Sequence, residues 1–516
     1  MTDRNPSDSE TSLPRPTPES SPSDQAPDAV DADASYGRRA GRSAGWIMTG
    51  YVGTQVIRLA SNLVLTRLLF EEAFGLMALM NVVLQGLYLL SDVGLGPSII
   101  HSQRRDSRFT NTAFSISVIR GVILFSLGWI FAAPLAEFYD EPQLRMFLPL
   151  IALTTLWSGA ESINVFVLNR DLNVAPIQIV ALLSQLAGAV AMITWAAIEP
   201  TVLALVGGVL VTSTFKLILT HVALPGEQSR FAWDKSAALE IVRYGRWIFL
   251  STMLLFTAEQ CDRAILGKLI SLETLGVYSI GLMIAALPLA GLAPLSRMVL
   301  FPYFSRMRSN AEEFGNLFRT ARYPILILGG WAFTGLIAGS STAVEMLYDD
   351  RYHAAGWIAQ ILSAGFWFQL MSSTNDAAAW GRGKPQFASF ASLAKLAAII
   401  VFVPASYAIG MRIDESLAFP GVVVGFACSN IARYLTAAAI CRPLGIREWR
   451  RESALTLLVV CSGGTVAWLD HVSRDLIPAH YVRATLIFII ITAAWMPLGW
   501  PLIKDRLAAR RTHRTS

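Results

Sequence analysis

Apolar residues in this chain come in long unbroken runs rather than in alternation or one-sided stripes. From Gly45 onward, runs of about 20 residues recur, separated by short polar stretches. A half-buried strand alternates with period two, and a half-buried helix shows polar positions every three or four residues. Runs that are apolar all round, each long enough to cross roughly 30 Å of hydrocarbon, predict membrane-spanning helices, because lipid offers the backbone no other hydrogen-bond partner. Fourteen are predicted, over 45–69, 73–99, 112–133, 146–169, 174–197, 201–223, 246–269, 274–300, 320–342, 354–379, 386–410, 416–441, 453–470 and 481–503. Residues 1–43 are rich in Ser, Pro, Asp and Thr and contain no apolar run, not even a signal-peptide core. They are expected to form a disordered tail.

Composition narrows the class. Of 516 residues, 53% are hydrophobic and 15% charged, against about 25% charged in soluble domains. So few charges cannot solvate the surfaces of several soluble domains. A soluble enzyme, a disordered chain and a disulfide-stapled secreted domain are excluded. The four cysteines, Cys261, Cys428, Cys441 and Cys461, form no CxxC pair and lie in or at the ends of apolar runs. They read as buried thiols, with no metal site. No P-loop or other cofactor motif is present. The net charge of +5 is a matter of membrane topology here, not of nucleic-acid binding.

The basic residues support the helix count. With the first tail cytoplasmic, and Arg4 and Arg15 at its far end set aside, fourteen helices place 27 Lys and Arg in cytoplasmic segments and seven, Arg67, Arg145, Lys268, Arg351, Arg412, Arg474 and Arg483, on the opposite side. The bias holds along the whole chain, so a multi-pass protein of the cell (inner or plasma) membrane with both termini cytoplasmic is expected.

An internal repeat is visible. Residues 64–78, VLTRLLFEEAFGLMA, match 265–279, ILGKLISLETLGVYS, at an offset of 201: Leu65 aligns with Leu266, Arg67 with Lys268, Leu68 with Leu269, Glu72 with Glu273 and Gly75 with Gly276. Each stretch lies at the external turn after the first helix of a six-helix set. The expected fold is therefore an all-α polytopic membrane protein with two pseudo-repeated six-helix lobes around a central cavity. The divisions are a tail (1–43), an N-terminal lobe (44–223), a cytoplasmic linker (224–245), a C-terminal lobe (246–441), two extra helices (442–503) and a basic tail (504–516). Lobes of this kind alternate access to a site between them.

Six basic residues lie within the predicted spans away from their ends: Arg58, Arg120, Lys216, Arg263, Lys395 and Arg433. Each costs roughly 2.5–3.5 kcal/mol at mid-helix and so needs a wet cavity or a partner. The acidic residues at similar depth are Asp92, Glu161, Glu259 and Asp262. The excess of positive charge suits an anionic cargo. Arg58 is the first candidate contact, with a pair to Asp92 as the alternative. Glu259, Asp262 and Arg263 share one helix face by their spacing, which allows either an internal ion pair or a coupling cluster. Arg120, Lys216, Lys395 and Arg433 are cargo contacts or snorkelling residues. Arg297, at the end of the eighth span, is a candidate cytoplasmic gate, with Pro288 and Pro294 as kink points.

The hairpin TRLLFEEAFGLMALMNVVLQGLYLLSDVGLGPSIIHSQRRD and the stretch CDRAILGKLISLETLGVYSIGLMIAALPLAGLAPLSRMVLFPYFSRM resemble the oligosaccharide flippases (Wzx-like) of envelope polysaccharide synthesis. That family lies within the multidrug/oligosaccharidyl-lipid/polysaccharide exporter (MOP) superfamily. The resemblance covers about residues 44–440. It implies a non-enzymatic flippase that moves polyprenyl-diphosphate-linked oligosaccharide from the cytoplasmic to the outer leaflet. It also implies membrane lipids as surroundings and polysaccharide polymerase and glycosyltransferases as working partners. Glu259 departs from the uncharged polar residue the family carries there. Alternatives are a lipid II flippase, which calls for a basic residue in the second helix where this chain has Asp92, and a cation-coupled drug exporter, which favours an acidic residue where it has Arg58. A polysaccharide polymerase or ligase would need a large external loop with catalytic Arg or His, and the sequence shows none.

Overall fold

The computed structural model describes residues 26–90, 99, 106–241, 260, 263–296, 300, 311–382, 384, 386–444, 448–474, 476–477, 479 and 480–512. Within them the chain is helical, without strands. In chain order the main helices are α1 (Ala26–Leu68), α2 (Glu71–Leu90), α3 (Ser107–Tyr139), α4 (Leu144–Ala160), α5 (Asn164–Arg170), α6 (Ala175–Ile198), α7 (Val202–Val222), α8 (Leu272–Leu295), α9 (Ala311–Leu347), α10 (Ala354–Gly381), α11 (Gln386–Ile413), α12 (Ala418–Cys441), α13 (Trp449–Ser473) and α14 (His480–Thr512). Among the described residues nine helices are long and apolar enough to cross a membrane, or ten if the bent α4–α5 pair counts as one. The chain is thus a multi-pass membrane protein, while the predicted fourteen spans are not all reached by that measure. The seventh predicted span lies largely outside the described residues, with 263–269 helical. α10 falls short of the apolar test although it is the tenth predicted span. It is packed on several sides and buries Ser363, Ser372, Thr374, Asn375 and Asp376, so little of it has to face lipid.

Two local expectations change. α1 begins at Ala26, well before the predicted start at Gly45 and inside the stretch expected to be disordered. Its Ala-rich upstream segment has good helix propensity. The fourth span is not continuous: α4 and α5 meet at 56° around Glu161–Ile163. The break falls in Gly-Ala-Glu-Ser, and the freed backbone N–H groups are satisfied by side chains. Ser162 N–H donates to Thr220 Oγ1 at 3.3 Å and Ile163 N–H to Ser229 Oγ at 3.2 Å. Such substitution is what makes a kink tolerable inside a membrane protein.

The helices form two packed groups. In the first, α3 packs on α4, α6 on α7, α4 on α7 and α2 on α4. In the second, α9 packs on α10, α11 on α12, α10 on α12 and α8 on α10. These are the same pairings in the same order, so the sequence repeat carries through to the packing. α13 and α14 stand outside it and pack on α9.

The main seam between the groups is α2 against α8. There the repeat meets itself. A Cβ on Gly75 would lie 2.0 Å from the Leu272 carbonyl oxygen, and one on Gly276 would lie 2.1 Å from that of Glu71. Glu71 and Leu272 are themselves 201 positions apart, so the two contacts are related by a pseudo-two-fold axis through the crossing. Gly is needed at both positions because backbone approaches backbone. Gly75→Val is expected to force this end apart. Maleimide supplied on the side of this turn would then label Ser279→Cys, on the cavity wall, several-fold faster in the Gly75→Val background than in its parent. Equal labelling would show that the seam tolerates the side chain.

Candidate functional site: a paired basic cavity

Directly behind the seam lies a cavity of about 460 Å³ lined by α1, α2, α6, α7, α8 and Arg263. A second, of about 180 Å³, lies within the second group, and Arg263 lines both. The larger carries Arg58, Ser61, Asn62, Asn81, Gln85, Gln185, Thr212 and Ser213; the smaller carries Gln260, Gln369, Lys395, Ser429 and Asn430. Among the described residues that line either cavity there is no carboxylate. The surface is therefore cationic and rich in amides and hydroxyls, with apolar patches from Leu65, Phe74, Met77 and Val209.

Arg58 is exposed, Arg263 half-buried and Lys395 buried. Gln260 Nε2 donates to Gln85 Oε1 at 2.6 Å, and Arg263 Nη1 donates to Gln260 Oε1 at 2.9 Å. This relay ties α2 of the first group to the cavity guanidinium on the other side of the seam. At the repeat offset, Asn62 corresponds to Arg263, and both face the larger cavity. Asn62 also spans the seam, donating from Nδ2 to Met283 Sδ at 2.8 Å.

The other predicted residues stand elsewhere. Arg120 donates from Nη2 to the Tyr88 carbonyl at 3.0 Å, holding α3 to α2. Lys216 pairs with Glu161 at 2.9 Å, bracing the α4–α5 break against α7. Arg433 pairs with Asp376 at 2.8 Å inside the second group. None of the three lines either cavity, because each is drawn to a nearer acceptor within its own helix group. Asp92, Glu259, Asp262 and Arg297 lie outside the described residues. The amides Gln85, Gln260, Asn62 and Gln369 were missed by a search for charge. Their signal in the sequence is an amide side chain inside an apolar run.

One end of the cavity is closed by contacts across the seam, at the turns that the sequence places outside. Arg351 donates to the carbonyls of Thr66 (3.2 Å) and Leu69 (3.4 Å) and pairs with Glu71 at 3.4 Å. Arg67 reaches the Leu347 carbonyl at 3.4 Å, and its repeat partner Lys268 pairs with Asp140. Tyr352 packs edge-on against Phe74. The hydrogen bond from Arg351 holds the Asp349 carboxyl below its ordinary value of 3.8. A depressed folded pKa contributes stability above that value and loses it as pH falls through the lower one. Asp349 therefore keeps its charge, and its local hold on Arg351, from roughly pH 5 to 8, and a Phe74→Cys/Tyr352→Cys cross-link is expected to form with the same yield across that window. A yield that changed would place a titrating group in the closure.

Comparison with known proteins agrees with this architecture. The profile of the polysaccharide biosynthesis protein family matches residues 64–356, more than half of the chain. The chain is 20% identical to the teichuronic acid biosynthesis protein TuaB of Bacillus subtilis, over 58% of this chain and 63% of that protein. It is 21% identical to the succinoglycan biosynthesis transport protein ExoT of Rhizobium meliloti, over 61% and 64%. It is 20% identical to the lipopolysaccharide biosynthesis protein WzxC of Escherichia coli, over 59% and 62%. The matched region thus spans just under two thirds of each of these relatives. In structure the chain resembles the lipid II flippase MurJ in an inward closed conformation (TM-score 0.64, 11% identity, 89% of this chain and 99% of that one). It also resembles an inward-facing multidrug transporter of the MOP superfamily (TM-score 0.58, 14% identity, 78% and 95%). At these identities the likeness establishes the fold. A profile that runs from the turn between α1 and α2 through both seam helices to the end of α9, more than half of the chain, settles the membership: this chain belongs to the polysaccharide biosynthesis protein family.

Proposed function

We propose that the chain is a flippase that carries polyprenyl-diphosphate-linked oligosaccharide from the cytoplasmic to the outer leaflet of the cell membrane, and that it is not an enzyme. The observation that carries this reading is the pair of cavities lined by Arg58, Arg263 and Lys395, with no carboxylate among their described lining residues. A diphosphate taken from water needs concentrated positive charge and N–H donors, which guanidinium groups supply in fork geometry. Glycan hydroxyls need amides and hydroxyls, which Asn62, Asn81, Gln85 and Gln185 supply. The polyprenyl tail stays in lipid. A cationic drug would be repelled from the same walls.

The two helix groups serve as the lobes, with α2 and α8 as the closing seam. Both termini are cytoplasmic, as the distribution of Lys and Arg indicates, so the closed end faces outward. Opening requires Arg351 and Arg67 to release their partners across the seam. Family names such as succinoglycan transport support an envelope polysaccharide as the glycan class, with polymerase and glycosyltransferases acting before and after.

Binding in nanodiscs tests the reading. The purified full chain is expected to bind a fluorescent polyprenyl-diphosphate oligosaccharide, and the same lipid lacking the diphosphate should bind at least about tenfold more weakly, as lost hydrogen bonds to charged groups imply. Equal binding of the two would overturn the proposal.

A further inference from the structure

A third cavity, of about 570 Å³, lies between α9, α13 and α14 and shares no lining residue with the two central ones. One part of its wall carries Arg319, Arg322 and Arg451; the rest is apolar, with Leu326, Leu455 and Leu498. Two carboxylates stand among the arginines. Glu448 takes Arg319 at 2.7 Å and Arg451 at 3.9 Å, and Glu452 takes Arg322. Three guanidinium groups against two carboxylates leave one positive charge in surplus. Arg322 is 2% exposed, and its Nε–H has no hydrogen-bond partner among the described residues. An orphaned donor on a buried arginine is costly unless something accepts from it.

The cavity's depth is marked by its neighbours. Trp449, at the start of α13, is 61% exposed, and Arg450 lies over its ring at 5.9 Å. Exposed Trp beside Arg marks the headgroup level of a bilayer. Charge at headgroup depth above an apolar floor matches an amphiphile with an anionic head. A soluble phosphate has no use for the leucines, and a zwitterionic lipid gains little from the surplus charge.

We propose that this cavity is a binding site for an anionic diacyl glycerophospholipid, its phosphate on Arg319, Arg322 and Arg451 and its chains along Leu326, Leu455 and Leu498. Basic pockets between helices at the membrane surface hold anionic headgroups in this way. The site lies where α13 and α14, the two helices outside the repeat, join α9, so the lipid fills the join.

The test uses the full-length protein in phosphatidylcholine nanodiscs, with retained lipid read by native mass spectrometry. Phosphatidylglycerol is expected to be retained in preference to phosphatidylcholine of the same chains. Arg319→Gln/Glu448→Gln/Arg451→Gln, which removes the surplus charge and strands no carboxylate, should lower the apparent affinity for phosphatidylglycerol by about tenfold or more while leaving the thermal unfolding midpoint in phosphatidylcholine unchanged. Leu498→Trp keeps every charge, fills the apolar part, and should lower retention as well. Equal retention of the two lipids by the wild type would overturn the proposal, as would an undiminished preference in the triple variant. Displacement by glycerol 3-phosphate at matching concentration would make it a soluble-phosphate site instead, and stoichiometric displacement by polyprenyl phosphate would make it a carrier-lipid site; either result overturns it.

Discussion

Arg263→Ala is expected to slow translocation of polyprenyl-diphosphate-linked oligosaccharide by about tenfold to a hundredfold, the size of a lost hydrogen bond to a charged group at roughly 1.5–3 kcal/mol. Arg263 is singled out because it lines both cavities and is anchored across the seam through Gln260 and Gln85. Its removal takes charge from the path in both lobes at once. Arg263→Lys should recover part of the rate, since an ammonium keeps the charge but cannot engage a phosphate in bidentate fashion. Initial rates in proteoliposomes containing each variant decide the matter. If the alanine variant runs at the wild-type rate while correctly folded, the guanidinium is a packing element and the cargo passes elsewhere.

The largest expected effect on stability lies at the other side of the second helix group. Glu452 of α13 pairs with Arg322 of α9 and accepts a hydrogen bond from the Tyr434 hydroxyl of α12. Arg322 and Glu452 are 2% and 4% exposed. Arg322→Leu leaves the Glu452 carboxylate buried without its cation and should cost about 3–5 kcal/mol. The double variant Arg322→Leu/Glu452→Leu removes both charges and should recover most of that loss, because two desolvation costs vanish with the one attraction. Thermal unfolding in a single detergent compares the three proteins. A double variant no more stable than the single one would mean that the pair itself, rather than the stranded charge, holds α13 on α9.

These two residues also show what sequence can and cannot convey. Membrane class, helical fold and internal repeat are written locally: apolar runs have a length, basic loops have a side, and Gly75 and Gly276 sit in matching words. Arg58, Arg263 and Lys395 stood out because charge inside an apolar run is costly wherever the chain goes. What each charge meets is a long-range matter. Nothing near Lys216 in the sequence shows that Glu161 is turned towards it by a 56° break. Nothing near Arg433 shows that Asp376, on another helix, will take it. No residue of the last two spans stands out as a candidate in the sequence, yet the ends of α13 and α14 carry buried clusters. At the far end of α13, Asp470 accepts from Thr342 at 2.7 Å, and Glu345 takes both Arg474 and Arg483. The amides of the cavity wall carry no charge to mark them, although an amide in an apolar run also needs a partner or a wet cavity.

The central claim is that an anionic, lipid-linked glycan crosses through the paired basic cavity. The most direct measurement is leaflet-to-leaflet transfer of a fluorescent polyprenyl-diphosphate oligosaccharide in proteoliposomes of the purified chain, scored by the label that becomes accessible to an external glycosidase, with wild type beside Arg58→Ala. Transfer by the wild type, reduced about tenfold or more by the substitution, is the predicted result. Absence of transfer by folded wild-type protein under every ion gradient and membrane potential applied would contradict it.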